Sequence, residues 1–315
     1  MAYLGAWQTD GPRAVPQAFP YQGSKRILAA QILSLLPTEG IERLVEPFAG
    51  SAAIAVAARH YRLAPEISIS DVNAPLMELW RMIIDSPHEL LGRYNEMWHA
   101  QSVDPKAYFR EVRKEFNLTH DPALLLYLLA RCVKAAVRYN QKGEFSQSED
   151  KRRLGARPSN MEARITSASS LMQGASVSVG SYEEQLLSAT PQSVVYLYPP
   201  YQGTSYVPDS RYLLGLRREE FVDVLAEAIR RDVSFIVSYD AVTEDNRYGS
   251  PLPKELGLFH RNVIAGTSSQ GTLHGRSQVT LESLYVSPSL VKRLGGERET
   301  GARLSSTESN DLVLF

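Results

Sequence analysis

The sequence predicts an α/β fold, one mixed sheet with helices against it, split by a long helical insertion. Three observations carry that reading. Strand-like and helix-like segments alternate near both ends of the chain. Residues 73 to about 175 contain no convincing strand. The last two apolar runs flank a Ser/Gly/Thr-rich stretch that suits the tip of a terminal β-ribbon.

In chain order, a helix is expected over residues 27–36, just after Phe19-Pro20-Tyr21-Gln22-Gly23-Ser24-Lys25-Arg26. Residues 43–48 read as a strand, Gly50-Ser51 as a turn, residues 52–61 as an Ala-rich helix, and residues 66–70 as a second strand ending at Asp71. Helical periodicity then covers residues 76–84, 87–98, 106–116 and 123–139, with Trp80, Met82, Trp98 and the leucines of residues 124–129 assigned to packing. Strands resume at residues 176–179 and 193–197, a helix spans 217–231, and further strands cover 234–238, 262–265 and 279–286. The tail after Pro288 is expected to be loose. The organisation is therefore residues 1–75 and 173–290 as two parts of one catalytic and cofactor domain, residues 76–172 as a helical insertion, and residues 291–315 as a loose tail.

Composition is that of a globular protein, with 43% hydrophobic and 22% charged residues among 315. No apolar stretch approaches the length that crosses a bilayer, so no membrane role is expected. The N-terminal segment lacks the pattern of a secretory signal and Cys132 is the single cysteine, which together suggest a reducing cytoplasm. Six histidines never approach metal-ligand spacing, and no metal is expected. A net charge of −1 leaves nucleic acid open, because a local basic surface can hide in a neutral total.

Three stretches carry chemistry. In Glu46-Pro47-Phe48-Ala49-Gly50-Ser51 a strand ends in a small-residue loop opening onto a helix, and Asp71 ends the next strand about 20 residues on. Such a loop lets a ligand approach backbone N–H groups, and such an acid suits ribose hydroxyls, so an adenosine cofactor is suggested. A tight turn with a capping Asp explains the same residues. The glycines that a dinucleotide pyrophosphate demands are missing, since Ser51 and two alanines follow Gly50. In the segment from Tyr21 to Arg26, Gly23 frees the backbone, Ser24 suits a helix N-cap, and Lys25 with Arg26 suits a carboxylate or phosphate. A capped helix with a solvated basic pair is the alternative. Finally, the strand over residues 193–197 stops at Tyr198-Pro199-Pro200-Tyr201, which falls at the carboxyl edge of the sheet where α/β ligands bind.

Taken in order, Y-x-G-S-K, E-P-F-A-G-S, D-V-N and P-P-Y resemble the DNA adenine-N6 methyltransferases of the DNA adenine methylase (Dam-like, D12) family. Arg138-Tyr139-Asn140 with Gly143-Glu144-Phe145, and Ser238-Tyr239-Asp240, extend the resemblance over nearly the whole chain. It implies a Rossmann-like, S-adenosylmethionine-dependent methyltransferase sheet with an inserted target-recognition domain. S-adenosyl-L-methionine is then the cofactor and double-stranded DNA the partner, with the protein a monomer that can serve alongside a restriction endonuclease. The implied cofactor residues are Tyr21, Gly23, Ser24, Lys25, Glu46, Pro47, Phe48, Gly50, Ser51, Asp71, Val72, Ser181 and Tyr182. The implied catalytic residues are Tyr198, Pro199, Pro200 and Tyr201.

The chemistry explains the double proline. An adenine amino nitrogen is a poor nucleophile, its lone pair delocalised into the ring, and two acceptors holding its N–H bonds draw it toward a pyramidal shape. In the family one acceptor is an Asp carboxylate and the other the carbonyl of the following Pro. The base must leave the duplex, and an aromatic wall such as Tyr201 recovers roughly 1–3 kcal/mol of stacking. Here Tyr198 stands where the family has that Asp. A phenol is larger and offers a donor as well as an acceptor where a charged acceptor is needed, so activity is expected to be strongly reduced. Two milder departures are Ala52, where the family loop often has a second Gly, and Ser181, where many relatives carry an acid.

DNA contact is expected from Arg138, Tyr139, Asn140, Lys142, Lys151, Arg152, Arg153 and Arg157 in and after the helical stretch, and from Ser269, Gln270 and Arg276 at the ribbon tip. A solvated charge run and a polar hairpin loop are the alternatives there. Three functions stay open: a slow adenine-N6 methyltransferase, a catalytically silent relative that binds cofactor and DNA, and a methyltransferase acting on RNA or protein. The last is disfavoured because Y-Q-G-S-K precedes the cofactor loop and a helical insertion follows Asp71.

Overall fold

A computed structural model describes residues 15–199, 216–242, 247–267 and 279–311. A 3-10 turn, Arg26–Leu28, leads into α1 (Ala29–Ser34), every residue of which is buried. β1 (Arg43–Glu46), α2 (Ala53–His60) and β2 (Glu66–Asp71) form the expected β-loop-α-β unit. Helices α3 (Ala74–Asp85), α4 (Pro87–Ala100), α5 (Pro105–Thr119), α6 (Pro122–Arg131) and α7 (Pro158–Met172) fill the interval before β3 (Ser176–Val179). Each of the five carries Pro in its first turn, and the side chains of Asn73, Asp104 and Asp121 accept from the orphan N–H groups of α3, α5 and α6.

After β3 come α8 (Tyr182–Leu187), β4 (Ser193–Leu197), α9 (Arg218–Arg230), β5 (Phe235–Val242), the two-residue β6 (Arg247–Tyr248), β7 (Phe259–Thr267) and β8 (Val279–Val286). The sheet runs β3-β2-β1-β4-β5-β8-β7, with β6 beside β5. β3 through β5 are parallel, Val45 lying opposite both Ser68 and Val195, while β8 is antiparallel to β5 and β7 to β8. The mixed α/β sheet is therefore as the sequence predicts.

Both faces of the parallel strands are covered, as period-two alternation requires. Leu44, Val194, Tyr196 and Ile236 face a core shared with α1, α2 and the long helices, whereas Val45, Val195, Leu197 and Val237 face Leu186 of α8 and Phe221 and Leu225 of α9. Burying each such side chain contributes about 1.5–3 kcal/mol, so this parallel centre is the firm platform on which the site stands. Trp80 and residues 124–129 are buried in the first core.

Two expectations are corrected. The helix expected over residues 123–139 ends at Arg131: Cys132 is extended, and Lys134 (φ 58, ψ 15) and Ala135 (φ 50) turn left-handed, with the Ala136 N–H reaching the Val133 carbonyl at 3.3 Å. That is the geometry of a type I′ turn. It reverses the chain, and Tyr139 then pairs antiparallel with Phe145. The tail is not loose. Ser287 caps α10 (Pro288–Arg293), α11 (Glu297–Asp311) follows, and Leu290, Leu294 and Leu304 are buried. Arg303 holds α11 to α1 through the carbonyls of Ser34 and Leu36, each at 3.3 Å.

Candidate active site at the carboxyl edge of the sheet

Because β3, β2, β1 and β4 are parallel neighbours, their carboxyl ends meet on one edge, and chain direction away from β1 diverges there toward β2 on one side and β4 on the other. A crevice at such a switch point is where α/β sheets hold ligands.

Asp71 ends β2. Its carboxylate accepts from the Gly50 N–H at 3.2 Å and the Asn73 N–H at 3.0 Å, and so pins the loop after β1 to the end of β2. Burial raises the Asp71 pKa, against the lowering effect of these backbone donors. Gly50 sits at φ +49, its carbonyl accepts from the Trp80 indole at 3.0 Å, and a Cβ there would meet the Tyr21 ring at 3.0 Å. Only a residue without a side chain lets Tyr21 close on the loop this tightly. Ala52 occupies a left-handed position (φ 47, ψ 40), which explains why a glycine suits that place. Val72 is exposed beside Asp71, Ser51 and Pro47 are buried, and Phe48 stacks on Tyr182 with ring centres 5.0 Å apart. The Gly180 N–H donates to the Asp71 carbonyl at 3.2 Å, which brings the end of β3 into the same group.

Several of these residues also hold the local structure. The Glu46 carboxylate, 4% exposed, accepts from the Ala55 N–H at 2.8 Å and so caps α2 from below; burial pushes its pKa up to about 8 despite that donor. Ser181 accepts from the Glu183 N–H at 3.2 Å as the cap of α8. Ser24 is not the N-cap of the following turn, a position held by Lys25. The hydroxyl of Ser24 and the side-chain oxygen of Gln22 are shielded from water with no hydrogen-bond partner among the described residues.

On the β4 side, Tyr198 is half-buried and Pro199 buried, while Pro200 and Tyr201 lie outside the described residues. The position of a Cβ on Gly23 would be 3.5 Å from the Tyr198 hydroxyl, so the Tyr21–Lys25 segment borders Tyr198 directly. Lys25 stands 3.9 Å from the centre of the Tyr198 ring and 2.5 Å from Glu282 of β8. Burial alone would lower the Lys25 pKa, but Tyr198 and Glu282 outweigh it and hold the ammonium above the usual lysine value. Sequence reasoning missed Glu282. Its one signal is a lone charge inside an apolar strand.

The left-handed turn joins this site to the segment expected to face DNA: the Gln22 N–H donates to the Ala135 carbonyl at 2.9 Å. Arg138 is exposed, but Tyr139 is only 5% exposed and its hydroxyl bonds the Asn73 side chain, which removes it from the outer surface. Asn140 accepts from the N–H groups of Lys142 and Glu144 at 2.9 and 3.0 Å, so its side-chain oxygen shapes its own turn. Lys142, Lys151, Arg152, Arg153 and Arg157 are all exposed. Their loop is held from beneath by buried groups: Arg131 donates to the carbonyls of Asp150 and Arg153, Gln101 to that of Leu154 at 3.0 Å, and Tyr94 to that of Ala156 at 2.6 Å. Ser269, Gln270 and Arg276 lie outside the described residues. Among the described residues no cluster of His, Cys, Asp and Glu is arranged to hold a metal, and no helix is long and apolar enough to cross a membrane.

Comparison with known proteins identifies relatives of this chain. The family model described as D12 class N6 adenine-specific DNA methyltransferase matches residues 21–267. The chain is 27% identical over 190 residues to the retron Ec67 DNA adenine methylase of Escherichia coli, a match covering 58% of this chain and 63% of that protein. It is 29% identical over 189 residues to the DNA adenine methylase of Salmonella typhi, covering 59% and 64%. A type II methyltransferase, M.MjaIII, of Methanocaldococcus jannaschii is 24% identical over 198 residues, covering 58% and 68%. The first two matches thus span somewhat less than two thirds of those curated relatives.

Proposed function

Since the chain belongs to the D12 class of N6 adenine-specific DNA methyltransferases, we propose that it transfers a methyl group from S-adenosylmethionine to N6 of an adenine flipped out of double-stranded DNA, at a rate strongly reduced by Tyr198. The observation that carries this reading is the meeting, on one sheet edge, of the Gly50–Asp71 cradle with Tyr198-Pro199 at the end of β4.

The residues present fit the cofactor. Asp71 spends one lone pair on each of two backbone donors and keeps others for ribose hydroxyls. Val72 offers an exposed apolar surface for an adenine face, and the unpartnered Gln22 and Ser24 oxygens suit the polar tail. When bound, S-adenosylmethionine supplies an electrophilic methyl carried on a sulfonium. Against that methyl, the chain's own part would be to hold the adenine amino group in line and to accept its hydrogens as the nitrogen becomes positive. The Pro199 carbonyl would hold one amino hydrogen, and a phenol, which offers a donor as well as an acceptor where a carboxylate would serve, stabilises the developing positive charge poorly.

The exposed Arg138, Lys142, Lys151, Arg152, Arg153 and Arg157 supply phosphate contacts from the helical insertion, which acts as the target-recognition part. Within the family resemblance, a monomer working in the cytoplasm alongside a restriction endonuclease completes the proposal. Labelled S-adenosylmethionine offered with duplex DNA, RNA and protein tests it: label should enter adenine N6 of DNA alone. Label in RNA or protein would move the chain to a different substrate class. Binding of cofactor and DNA with no transfer under any condition would make it a silent relative.

A further inference from the structure

Tyr139 was expected at the DNA surface, yet its hydroxyl lies inside the protein. Its ring stands edge-on to Phe145 with centres 6.2 Å apart, and its hydroxyl accepts from the side-chain amide of Asn73 at 3.1 Å, both Tyr139 and Asn73 being buried. A buried phenol needs a partner for stability alone. Here the partner is a residue that also holds Asp71. The Asn73 backbone N–H donates to the Asp71 carboxylate at 3.0 Å, and its side-chain oxygen caps α3 through the Leu76 N–H at 3.3 Å. One chain of contacts therefore runs from Asp71 through Asn73 to Tyr139. Burial raises the Tyr139 pKa to about 12, against the Asn73 bond, and the charge of Asp71 adds to it, so the phenol and the acid are close enough to feel each other. Tyr139 in turn anchors a hairpin, in which the Asn140 N–H donates to the Glu144 carbonyl at 2.9 Å and the Ser146 N–H to that of Arg138 at 2.8 Å. This hairpin carries the exposed Arg138, Asn140 and Lys142.

We propose that Tyr139 is a positioning residue that couples the two ligands: through Asn73 it holds the DNA-facing hairpin in register with Asp71, so that cofactor at Asp71 and DNA on the hairpin bind cooperatively. The proposal deepens the methyl-transfer reading above and rests on it. Ribose hydroxyls bonded to Asp71 restrain the carboxylate that receives the Asn73 N–H, and restraint of Asn73 passes to Tyr139 and the strand pair it anchors. With the hairpin already ordered, DNA removes less chain freedom on binding, and each ligand raises the affinity of the other by the same factor. The turn before the hairpin is held by the Gln22 N–H on the Ala135 carbonyl at 2.9 Å, and its far strand by Asn117 of α5, which accepts from the Phe145 N–H at 2.8 Å. Tyr139 is the link that leads to Asp71.

Duplex DNA affinity, measured by fluorescence anisotropy at fixed salt with and without saturating S-adenosylhomocysteine, tests this, alongside calorimetric affinity for S-adenosylhomocysteine alone. In the unmutated protein S-adenosylhomocysteine should tighten DNA binding by at least about fivefold. Tyr139→Phe keeps the ring against Phe145. It should cut that factor below about twofold, while DNA affinity without cofactor and cofactor affinity without DNA each stay within about twofold. Asn73→Ser keeps a side-chain oxygen to cap α3 but loses the reach to Tyr139. It should lose the factor too, and the double variant should lose nothing further. Amide hydrogen exchange gives a second readout: S-adenosylhomocysteine should slow exchange at Asn140 and Ser146 in the unmutated protein and leave both unchanged in Tyr139→Phe. If Tyr139→Phe does not fold, Asn73→Ser carries the test. A fivefold factor that survives in Tyr139→Phe, or a loss of DNA affinity equal with and without cofactor, would overturn the proposal. So would an unmutated protein that binds both ligands independently, an outcome that leaves the methyl-transfer reading standing; failure to bind S-adenosylhomocysteine or DNA would remove both.

Discussion

Replacing Ala135 with glycine should stabilise the protein, whereas the same change at Ala52 should leave stability nearly unchanged. Both alanines sit at positive φ, 50 for Ala135 and 47 for Ala52, where a side chain crowds the backbone. Relief of that crowding is worth about 1–2 kcal/mol at each. Glycine gives back about 0.4–1 kcal/mol through the added freedom of the unfolded chain. At Ala135, half-buried in the turn that meets Gln22, little else is lost, so the net gain is roughly 0.5–1 kcal/mol. Ala52 is 0% exposed and forfeits a buried methyl as well, about 0.8 kcal/mol, which cancels the gain. Differential scanning calorimetry should show Tm rising by about 1–3 °C for Ala135→Gly and staying within about 1 °C for Ala52→Gly. A fall in Tm for Ala135→Gly would mean that the turn is not strained as its dihedrals imply. Equal rises would mean that burial of Ala52 counts for nothing.

Glu46 offers a pH test: its folded pKa, raised to about 8 by burial, lies above the unfolded value of about 4.3, so the stability it contributes is present below the unfolded value and is lost as pH rises through 8. Glu46→Gln, which mimics the protonated acid, should therefore gain on the unmutated protein as pH climbs from about 6 to about 9 in thermal unfolding; a constant difference would mean that Glu46 is already ionised in the fold. Asp71→Ala should weaken cofactor binding by about 1.5–3 kcal/mol in calorimetry, through loss of a charged hydrogen bond and of the tie to Gly50, and unchanged affinity would take Asp71 out of the cofactor site. Replacing Lys151 and Arg152 together with Ala should lower the slope of log DNA affinity against log salt by roughly 2, alike for all sequences, and an unchanged slope would place the phosphate contacts elsewhere.

Local rules made much of this fold readable. The β1-loop-α2-β2 unit announced itself through β-branched and apolar runs, a glycine turn and an Ala-rich helix, and its motifs fall on the expected sheet edge. The helix over residues 123–139 was overdrawn because Val133 to Val137 keeps the apolar character of α6; its end is set by two left-handed residues that are neither Gly nor Asn, so no turn signal was present. The tail carried a signal that was passed over, Ser287 before Pro288, the cap-and-proline start of a helix. What packs α11 down is long-range, Arg303 on the carbonyls of α1, and no local pattern reports it. The site divides in the same way. Asp71 and Gly50 were found by spacing, but Glu282 lies 257 positions from Lys25, and only the sheet order brings it to Tyr198. Tyr139 and Asn140 were expected to contact DNA; the hairpin turns Tyr139 inward onto Asn73 and engages the oxygen of the exposed Asn140 in its own turn, which no local pattern reports.

The most direct measurement is the rate of labelled methyl transfer to adenine N6 in duplex DNA by the unmutated protein and by Tyr198→Asp, with cofactor affinity measured in parallel. A carboxylate at this position restores a charged acceptor for the amino group, and such a contact contributes on the order of 3 kcal/mol to a transition state. Tyr198→Asp should then be faster by at least ~10²-fold, with cofactor affinity little changed. Equal rates would contradict the reading that Tyr198 limits the reaction, and no transfer by either protein would contradict the assignment of methyl transfer to this site.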